Sequence, residues 1–60
     1  QGAIADYTKA LEIDPEYADA YKNRGIAREL VNDLQGACDD WRKAGHLGDE
    51  RSAEWVKNNC

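Results

Sequence analysis

The chain has few of the residues with which a small domain normally builds a core. Its 60 residues include no Phe, no Met, a single Pro and two Cys. A chain of this length buries only about 60% of the surface that its unfolded form exposes. We therefore expect one thin domain whose core depends on the five bulky aromatics: Tyr7, Tyr17, Tyr21, Trp41 and Trp55.

Two further absences exclude whole classes of partner. No apolar run approaches the roughly 20 residues needed to cross a bilayer, and no charged-then-apolar signal segment opens the chain. Eight Lys and Arg stand against twelve Asp and Glu, a net charge of −4, whereas nucleic-acid binding needs a basic surface. We expect neither a membrane nor a nucleic-acid partner. The sequence starts at Gln1 in mid-pattern, so we interpret it as a piece of a longer chain. The sequence does not indicate in which cellular compartment that chain resides.

The sequence repeats itself with a period of 34 residues. The segments GAIADYTKA (2–10) and GACDDWRKA (36–44) are identical at five of nine positions. Aromatic residues replace one another, because Tyr7 aligns with Trp41 and Tyr21 with Trp55. A fixed period of this size is typical of repeat folds, in which each unit buries its apolar face against the next.

Apolar spacing within each copy predicts helices and no strand. Ala3, Tyr7 and Ala10 follow the i, i+4, i+7 spacing of one helix face. Pro15, with Asp14 as the cap, predicts a second helix over about 15–31. Two more helices are predicted over about 34–47 and 50–58. The residues of these last three helices predicted to face the core are Tyr17, Ala20, Tyr21, Gly25, Leu30 or Val31, Ala37, Cys38, Trp41, Ala44, Leu47, Ala53, Trp55 and Val56.

The connections carry residues suited to turns and caps. Asn32 tolerates a left-handed backbone, Asp33 is placed to cap the third helix, and Gly48 ends that helix as a C-terminal residue with positive φ. Arg24 and Arg28 interrupt the apolar face of the second helix. We expect their stems to lie along that face while their charged heads reach water.

These features together resemble the tetratricopeptide repeat (TPR) family. The residues that carry the resemblance are Tyr21, Gly25, Ala37, Trp41 and Ala44, with Ala3, Tyr7, Ala10 and Pro15 from the preceding copy. The chain departs from the family's usual residues at Arg24, Arg28, Asn32, Gly45 and Asp49. The resemblance implies an all-α fold of four antiparallel helices in one domain, 1–60. Residues 1–14 would be the second helix of one repeat, 15–48 a full repeat, and 49–60 a capping helix.

The resemblance also implies a function, which is protein or peptide binding on a concave helix face, without catalysis or a cofactor. The family's contact positions fall on Asp19, Lys22, Asn23, Ile26 and Glu29. Lys22 and Asn23 are similar to the donors of members that grip a terminal carboxylate, although Ile26 stands where those members have a second Asn. The alternative for Lys22 is a surface pair with Asp19.

Self-association is the alternative function. One and a half repeats leave the first helix uncovered on one side, where some of Ile4, Tyr7 and Leu11 are expected to be exposed. The isolated chain would then form a homodimer through that surface, or by opening the VNDL turn (31–34) so that helices exchange between chains.

The two cysteines have several possible roles. Cys38 and Cys60 lie eleven residues on either side of Asp49, so antiparallel third and fourth helices make a disulfide a candidate. The alternative is a buried apolar Cys38 and a free Cys60 thiol. With His46 they lack the paired short spacings of a structural zinc site, so we expect no metal.

Catalysis is not expected either. Neighbouring carboxylates such as Asp39 and Asp40 point about 100° apart on a helix, so they do not converge on a substrate. Four thin helices also offer no deep pocket in which burial could shift the pKa of a side chain enough for catalysis.

Overall fold

The computed structural model describes residues 2–60, which form four α-helices and no strand. The helices are α1 (Gly2–Ile13), α2 (Ala18–Leu30), α3 (Leu34–His46) and α4 (Glu50–Asn59). Consecutive helices pack against one another, α2 and α3 most extensively. The all-α architecture is as predicted. No helix within these residues is both long enough and apolar enough to cross a membrane.

The turn between α1 and α2 differs from the prediction. The Asp14 carboxylate accepts a hydrogen bond from the Glu16 backbone N–H at 3.1 Å, and the Tyr17 N–H donates to the Asp14 carbonyl at 3.2 Å. Asp14 therefore closes a local turn, as Asp side chains often do with the amide two residues on. The helix begins at Ala18 with Tyr17 as a cap that makes no side-chain bond. The predicted start at Pro15 with Asp14 as the cap was wrong.

The later turns follow the sequence closely. Asn32 has a positive φ of 68° and Gly48 one of 106°, as predicted for both. The Asp33 carboxylate accepts a hydrogen bond from the Gly36 N–H at 3.0 Å, which confirms Asp33 as the α3 cap. Asp49 caps α4 in the same way. These caps satisfy backbone donors that have no partner inside the helix.

The core centres on Trp41 in α3, which is 2% exposed. Its Nε1 donates to the Lys22 carbonyl at 3.3 Å. The centres of the Trp41 and Trp55 rings are 5.2 Å apart, and the ring planes are inclined by 59°. Gly25 makes room for the indole, because a Cβ there would lie 2.6 Å from Trp41 Cδ1. The α3 residues buried with Trp41 are Ala37, Cys38, Asp40 and Ala44.

The apolar core is narrower than predicted. Leu30 is 81% exposed, and Tyr17, Val31 and Ala53 are exposed as well. Leu30 follows buried Gly25 by five residues, which places it about 140° around the helix. Tyr17 and Val31 lie outside α2 altogether, as its caps.

In α4 a small polar residue is buried next to Ala53, which was predicted to face the core. Ser52 is fully buried, and Ala53 is turned about 100° away from it on α4. In α1, Leu11 is buried while Ala3 is exposed. Tyr21, Leu47, Trp55 and Val56, all predicted to face the core, are half-buried.

The two arginines of α2 correct a second expectation. Arg24 donates to the Asp40 carboxylate from Nε at 2.9 Å and from Nη2 at 2.7 Å, and Arg28 Nη1 lies 3.2 Å from the same group. Arg24 Nη1 also donates to Thr8 Oγ1 at 3.1 Å. The heads therefore enter the interface instead of reaching water, because a buried carboxylate must be paired. The hydrogen bonds to Asp40 raise the pKa of Arg24 above its ordinary value, against the opposing effect of burial.

Candidate partner-binding face

The five predicted contact residues lie on α2, and each is three or four residues from another member of the set, which places them along one broad side of the helix. We call this row the α2 face; it consists of Asp19, Lys22, Asn23, Ile26 and Glu29. Asp19 and Glu29 are exposed, and the three residues between them are half-buried. The row therefore presents polar ends and a partly sunken centre to solvent.

At the N-terminal end of the α2 face, Lys22 has a partner in its own helix. Its Nζ lies 3.7 Å from Asp19 Oδ1, which is the surface pair weighed as the alternative role of Lys22. Pairs of this kind stabilise a helix by only about 0.3–0.5 kcal/mol. The ammonium can therefore exchange Asp19 for a ligand carboxylate at little cost.

At the other end, the α2 face opens into a cavity of about 230 Å³ that is lined by side chains of α2, α3 and α4. We call it the tryptophan groove; it is lined by Ile26, Glu29, Trp41, Trp55 and Asn59. The apolar part consists of Ile26 and the two indoles, and the polar part of Glu29 and Asn59. The volume is below the roughly 300–1,000 Å³ of sites that enclose small molecules. It suits a single side chain of a longer ligand.

A disulfide between Cys38 and Cys60 fixes the α4 wall of the tryptophan groove. The bond joins α3 to the residue that follows Asn59, with the Cα atoms 6.1 Å apart. At the opposite end α4 is capped by Asp49. Trp55 and Asn59 thus belong to a helix that is held at both ends.

The disulfide also bears on the metal alternative. Because both cysteines are bonded to each other, neither supplies a thiolate, and His46 is exposed. Among the described residues no group of three or more His, Cys, Asp or Glu side chains is arranged to hold a metal ion.

Sequence reasoning missed the α4 contribution to this site. Ile26 and Glu29 were predicted contact residues, but Trp55 was predicted only as a core residue and Asn59 had no predicted role. The repeat period gave no signal for these two residues, since Trp55 aligns with Tyr21 and Asn59 with Gly25, both predicted core residues. Corresponding helices of neighbouring repeats line the same concave surface, so only α4 as a whole was a candidate.

Comparison with known proteins identifies the family. A TPR repeat model matches residues 1–30, half of the chain. The chain belongs to the TPR family. Members of this family generally mediate protein–protein interactions, which agrees with a solvent-facing helix row ending in a side-chain-sized groove.

Several curated TPR relatives are similar to this chain. It is 44% identical to Hsc70-interacting protein 1 of Drosophila melanogaster over 55 residues, 90% of the chain and 15% of that protein. It is 45% identical to serine/threonine-protein phosphatase T of Aspergillus oryzae over 40 residues, 67% of the chain and 8% of the phosphatase. It is 42% identical to RNA polymerase II-associated protein 3 of Xenopus tropicalis over 45 residues, 75% and 7% respectively. No solved structure matches.

The length of these matches limits what the likeness means. The chain spans 15% or less of each relative. The phosphatase in particular shares a segment amounting to 8% of its length. The likeness therefore concerns a TPR segment common to proteins with different names.

Proposed function

We propose that this chain binds a protein partner by holding an extended segment of it against the α2 face, with one apolar side chain in the tryptophan groove. The observation that carries the proposal is the groove itself, which begins at Ile26 and Glu29, where the row of expected contact residues ends. The TPR membership supports a protein partner. The exposed polar ends of the row support a solvated ligand that lies along the surface.

The spacing of the α2 face indicates which segment would fit. Lys22 and Ile26 are four residues apart, about 6 Å along the helix. An extended peptide covers that distance in about two residues, at about 3.3 Å each. A segment with an acidic residue two positions from an apolar one would satisfy Lys22 and fill the groove together. Asn23 and Glu29 would add hydrogen bonds to its backbone.

The names of two relatives supply a first candidate partner. Both Hsc70-interacting proteins of Drosophila melanogaster are 44% identical to this chain over 55 residues. We include Hsc70 as a candidate for that reason. The acidic and apolar spacing above is the criterion by which any other partner would be recognised.

The experiment uses two probes, purified Hsc70 and a display library of random heptapeptides, each presented to the immobilised chain. We expect selected peptides to share the acidic-x-apolar pattern and to bind with micromolar dissociation constants. Ile26→Asp places a charge in the groove and should weaken binding at least tenfold. Glu29→Lys should weaken it less, because Glu29 lies on the groove's polar side.

A matched control keeps this test specific. Ile13→Asp makes the same change at an exposed residue of α1, outside the residues that line the groove, and should leave the affinity unchanged. Circular dichroism checks that each variant is folded. Failure of both probes to bind, or equal binding by wild type and Ile26→Asp, would contradict the proposed function.

Self-association remains the alternative, and one observation favours it. An apolar cavity of about 170 Å³ lies between α1 and α2, lined by Ala3, Ile4, Ala27, Leu30 and Val31. Leu30 there is 81% exposed. Some of Ile4, Tyr7 and Leu11 were expected to be exposed in the uncovered surface; Ile4 and Tyr7 are half-buried, and Leu11 is 8% exposed.

Sedimentation over a wide concentration range tests self-association, whether it occurs through this cavity or by helix exchange at the 31–34 turn. A dimer that weakens in Leu30→Asp supports contact through the cavity, and one that persists in that variant supports helix exchange. A folded monomer at every concentration eliminates both forms of the alternative.

A further inference from the structure

The disulfide between Cys38 and Cys60 lies at a second cavity, distinct from the tryptophan groove. This cavity has a volume of about 370 Å³ and runs along α3 and the end of α4. We call it the disulfide cavity; its lining includes both cysteines, Asp39 and Arg42 of α3, and Asn59 of α4. Its volume falls within the roughly 300–1,000 Å³ of small-molecule sites. A small molecule that enters it would therefore lie beside the disulfide.

The two cysteines differ in their accessibility. Cys38, within α3, is 7% exposed, whereas Cys60 is exposed and follows the last residue of α4. In thiol–disulfide exchange a thiolate attacks one sulfur and the other sulfur leaves as a thiolate, and access helps to decide which is attacked. The more accessible Cys60 is therefore the site of attack, and Cys38 is the leaving group.

Arg42 gives the disulfide cavity a preference among thiols. It follows Cys38 by four residues, so the two side chains lie on the same side of α3, about 6 Å apart along the helix axis. Arg42 Nη1 lies 3.1 Å from Asp39 Oδ1, but the two side chains are 54% and 65% exposed, and exposed pairs of this kind contribute little to stability. The guanidinium can therefore exchange Asp39 for a ligand carboxylate, which it is shaped to bind through two hydrogen bonds.

We infer that the disulfide cavity takes a small thiol that carries a carboxylate, and that this thiol modifies Cys60. The carboxylate pairs with Arg42 while the thiolate attacks Cys60 Sγ. A new S–S bond forms between the thiol and Cys60, the bond to Cys38 breaks, and its electron pair leaves on Cys38 Sγ, which takes a proton from water. The products are a mixed disulfide at Cys60 and a free Cys38 thiol, so the step needs no other oxidant or reductant.

The exchange replaces a cross-link between two helices with a modification on one of them. Asn59, which precedes Cys60, lines both the disulfide cavity and the tryptophan groove. Modification of Cys60 therefore releases the end of α4, and with it one wall of the groove, from its covalent tie to α3. The chemistry inferred at Cys60 does not depend on the proposed function.

The test treats the complete oxidised chain with three thiols: 3-mercaptopropionate, which carries a carboxylate, neutral 2-mercaptoethanol, and cationic cysteamine. Samples are quenched in acid, which stops exchange by protonating the thiolates, and free thiols are then blocked. Tryptic mass spectrometry locates the added thiol, because Lys43, Arg51 and Lys57 separate the two cysteines. Each rate is compared between wild type and variant, which cancels the intrinsic reactivity of each thiol. Low salt keeps surface pairs unscreened.

We expect the added thiol on Cys60 and the blocked thiol on Cys38. Arg42→Gln should slow 3-mercaptopropionate at least about threefold, and the other two thiols by less than about 1.5-fold, because only the first has a carboxylate to lose its partner. Asp39→Asn should speed 3-mercaptopropionate about twofold or more, because it removes the competing carboxylate. Lys43→Gln is the matched control, since Lys43 is exposed and lies outside the residues that line the cavity. It should leave every rate unchanged, and circular dichroism checks that each variant is folded.

Three results would overturn the inference. An added thiol on Cys38 in place of Cys60, or none in any quenched sample, would mean that Cys60 is not the sulfur attacked. Equal effects of Arg42→Gln on all three thiols would mean that the cavity does not recognise the carboxylate. Equal effects of Arg42→Gln and Lys43→Gln would mean that the net charge of the chain, and not the disulfide cavity, sets the rate.

Discussion

The guanidinium of Arg24 and the carboxylate of Asp40 meet through two hydrogen bonds, of 2.9 and 2.7 Å, at the contact between α2 and α3. Arg28 approaches the same carboxylate, and Thr8 of α1 accepts a further bond from Arg24. One charged group thereby connects three of the four helices. The Arg24 ζ-carbon also lies 5.5 Å from the centre of the Tyr21 ring. In a chain with so few large apolar residues, this cluster fixes how the helices align.

The first prediction concerns the carboxylate. Asp40→Asn leaves two guanidinium groups without their anion at a nearly closed interface, and breaking a buried pair in this way costs about 3–5 kcal/mol. We expect the free energy of unfolding, measured in urea, to fall by at least about 3 kcal/mol. Asp39→Asn is the matched control, because Asp39 is 65% exposed and, among residues 2–60, is paired only with Arg42. Its loss should cost at most about 1 kcal/mol; similar costs for the two variants would contradict the role given to Asp40.

The second prediction concerns the contact between Gly25 and Trp41. Gly25→Ala places a methyl group against an indole that is held by its bond to Lys22 and by Trp55. Overpacking of this kind costs about 1–3 kcal/mol, which outweighs the gain of about 1 kcal/mol in helix propensity. We expect a net loss of stability in urea unfolding. Gly2→Ala, with open space around it, should be neutral or slightly stabilising; a stabilised Gly25→Ala variant would show that Trp41 is free to move.

The fold itself was predictable because the repeat period and the helix spacing agree. The 34-residue repeat period and the i, i+4, i+7 spacing of apolar residues place all four helices within a few residues of their observed bounds. Asn32, Asp33 and Gly48 were predictable because each acts on its immediate neighbours along the chain. Local chemistry of that kind can be read without knowing what lies across an interface.

The polar interior was not predictable by the same reasoning. Arg24 and Arg28 lie 16 and 12 residues before Asp40 in the sequence, and only the packing of α2 on α3 brings them together. From the spacing of apolar residues, both arginines were predicted only to interrupt an apolar face. Only part of the tryptophan groove was predictable. Its α2 residues follow from the family's contact positions, whereas Asn59 lines the groove only because of where α4 packs.

The third prediction separates a cap from a turn. Asp33 accepts a hydrogen bond from the Gly36 amide at the start of α3, and Asp33→Ala should cost about 1 kcal/mol. Asp14 is also an Asp before a helix, but its bond to Glu16 closes a turn outside α2. Asp14→Ala should therefore cost clearly less. Urea unfolding of both variants measures the difference, and an equal or larger loss at Asp14 would restore it as a helix cap.

The last prediction concerns the bond between Cys38 and Cys60. It closes a loop across a sequence separation of 22 residues, and a cross-link of that span stabilises a chain by about 3 kcal/mol in the chain-entropy model. A reducing agent should lower the melting temperature by roughly 10 °C or more, since about 4–8 °C corresponds to each kcal/mol in a domain this small. The Cys38→Ser/Cys60→Ser variant should melt near the reduced wild type and should not respond to the reductant.

After reduction, hydrogen exchange should become faster in α4, because the disulfide ties that helix to α3. The packing of α2 on α3 should be kept, because the ion pairs of Asp40 with Arg24 and Arg28 remain. Unchanged protection of residues 55–59 after reduction would mean that packing on Trp41 alone holds α4, and that the tryptophan groove does not need the disulfide.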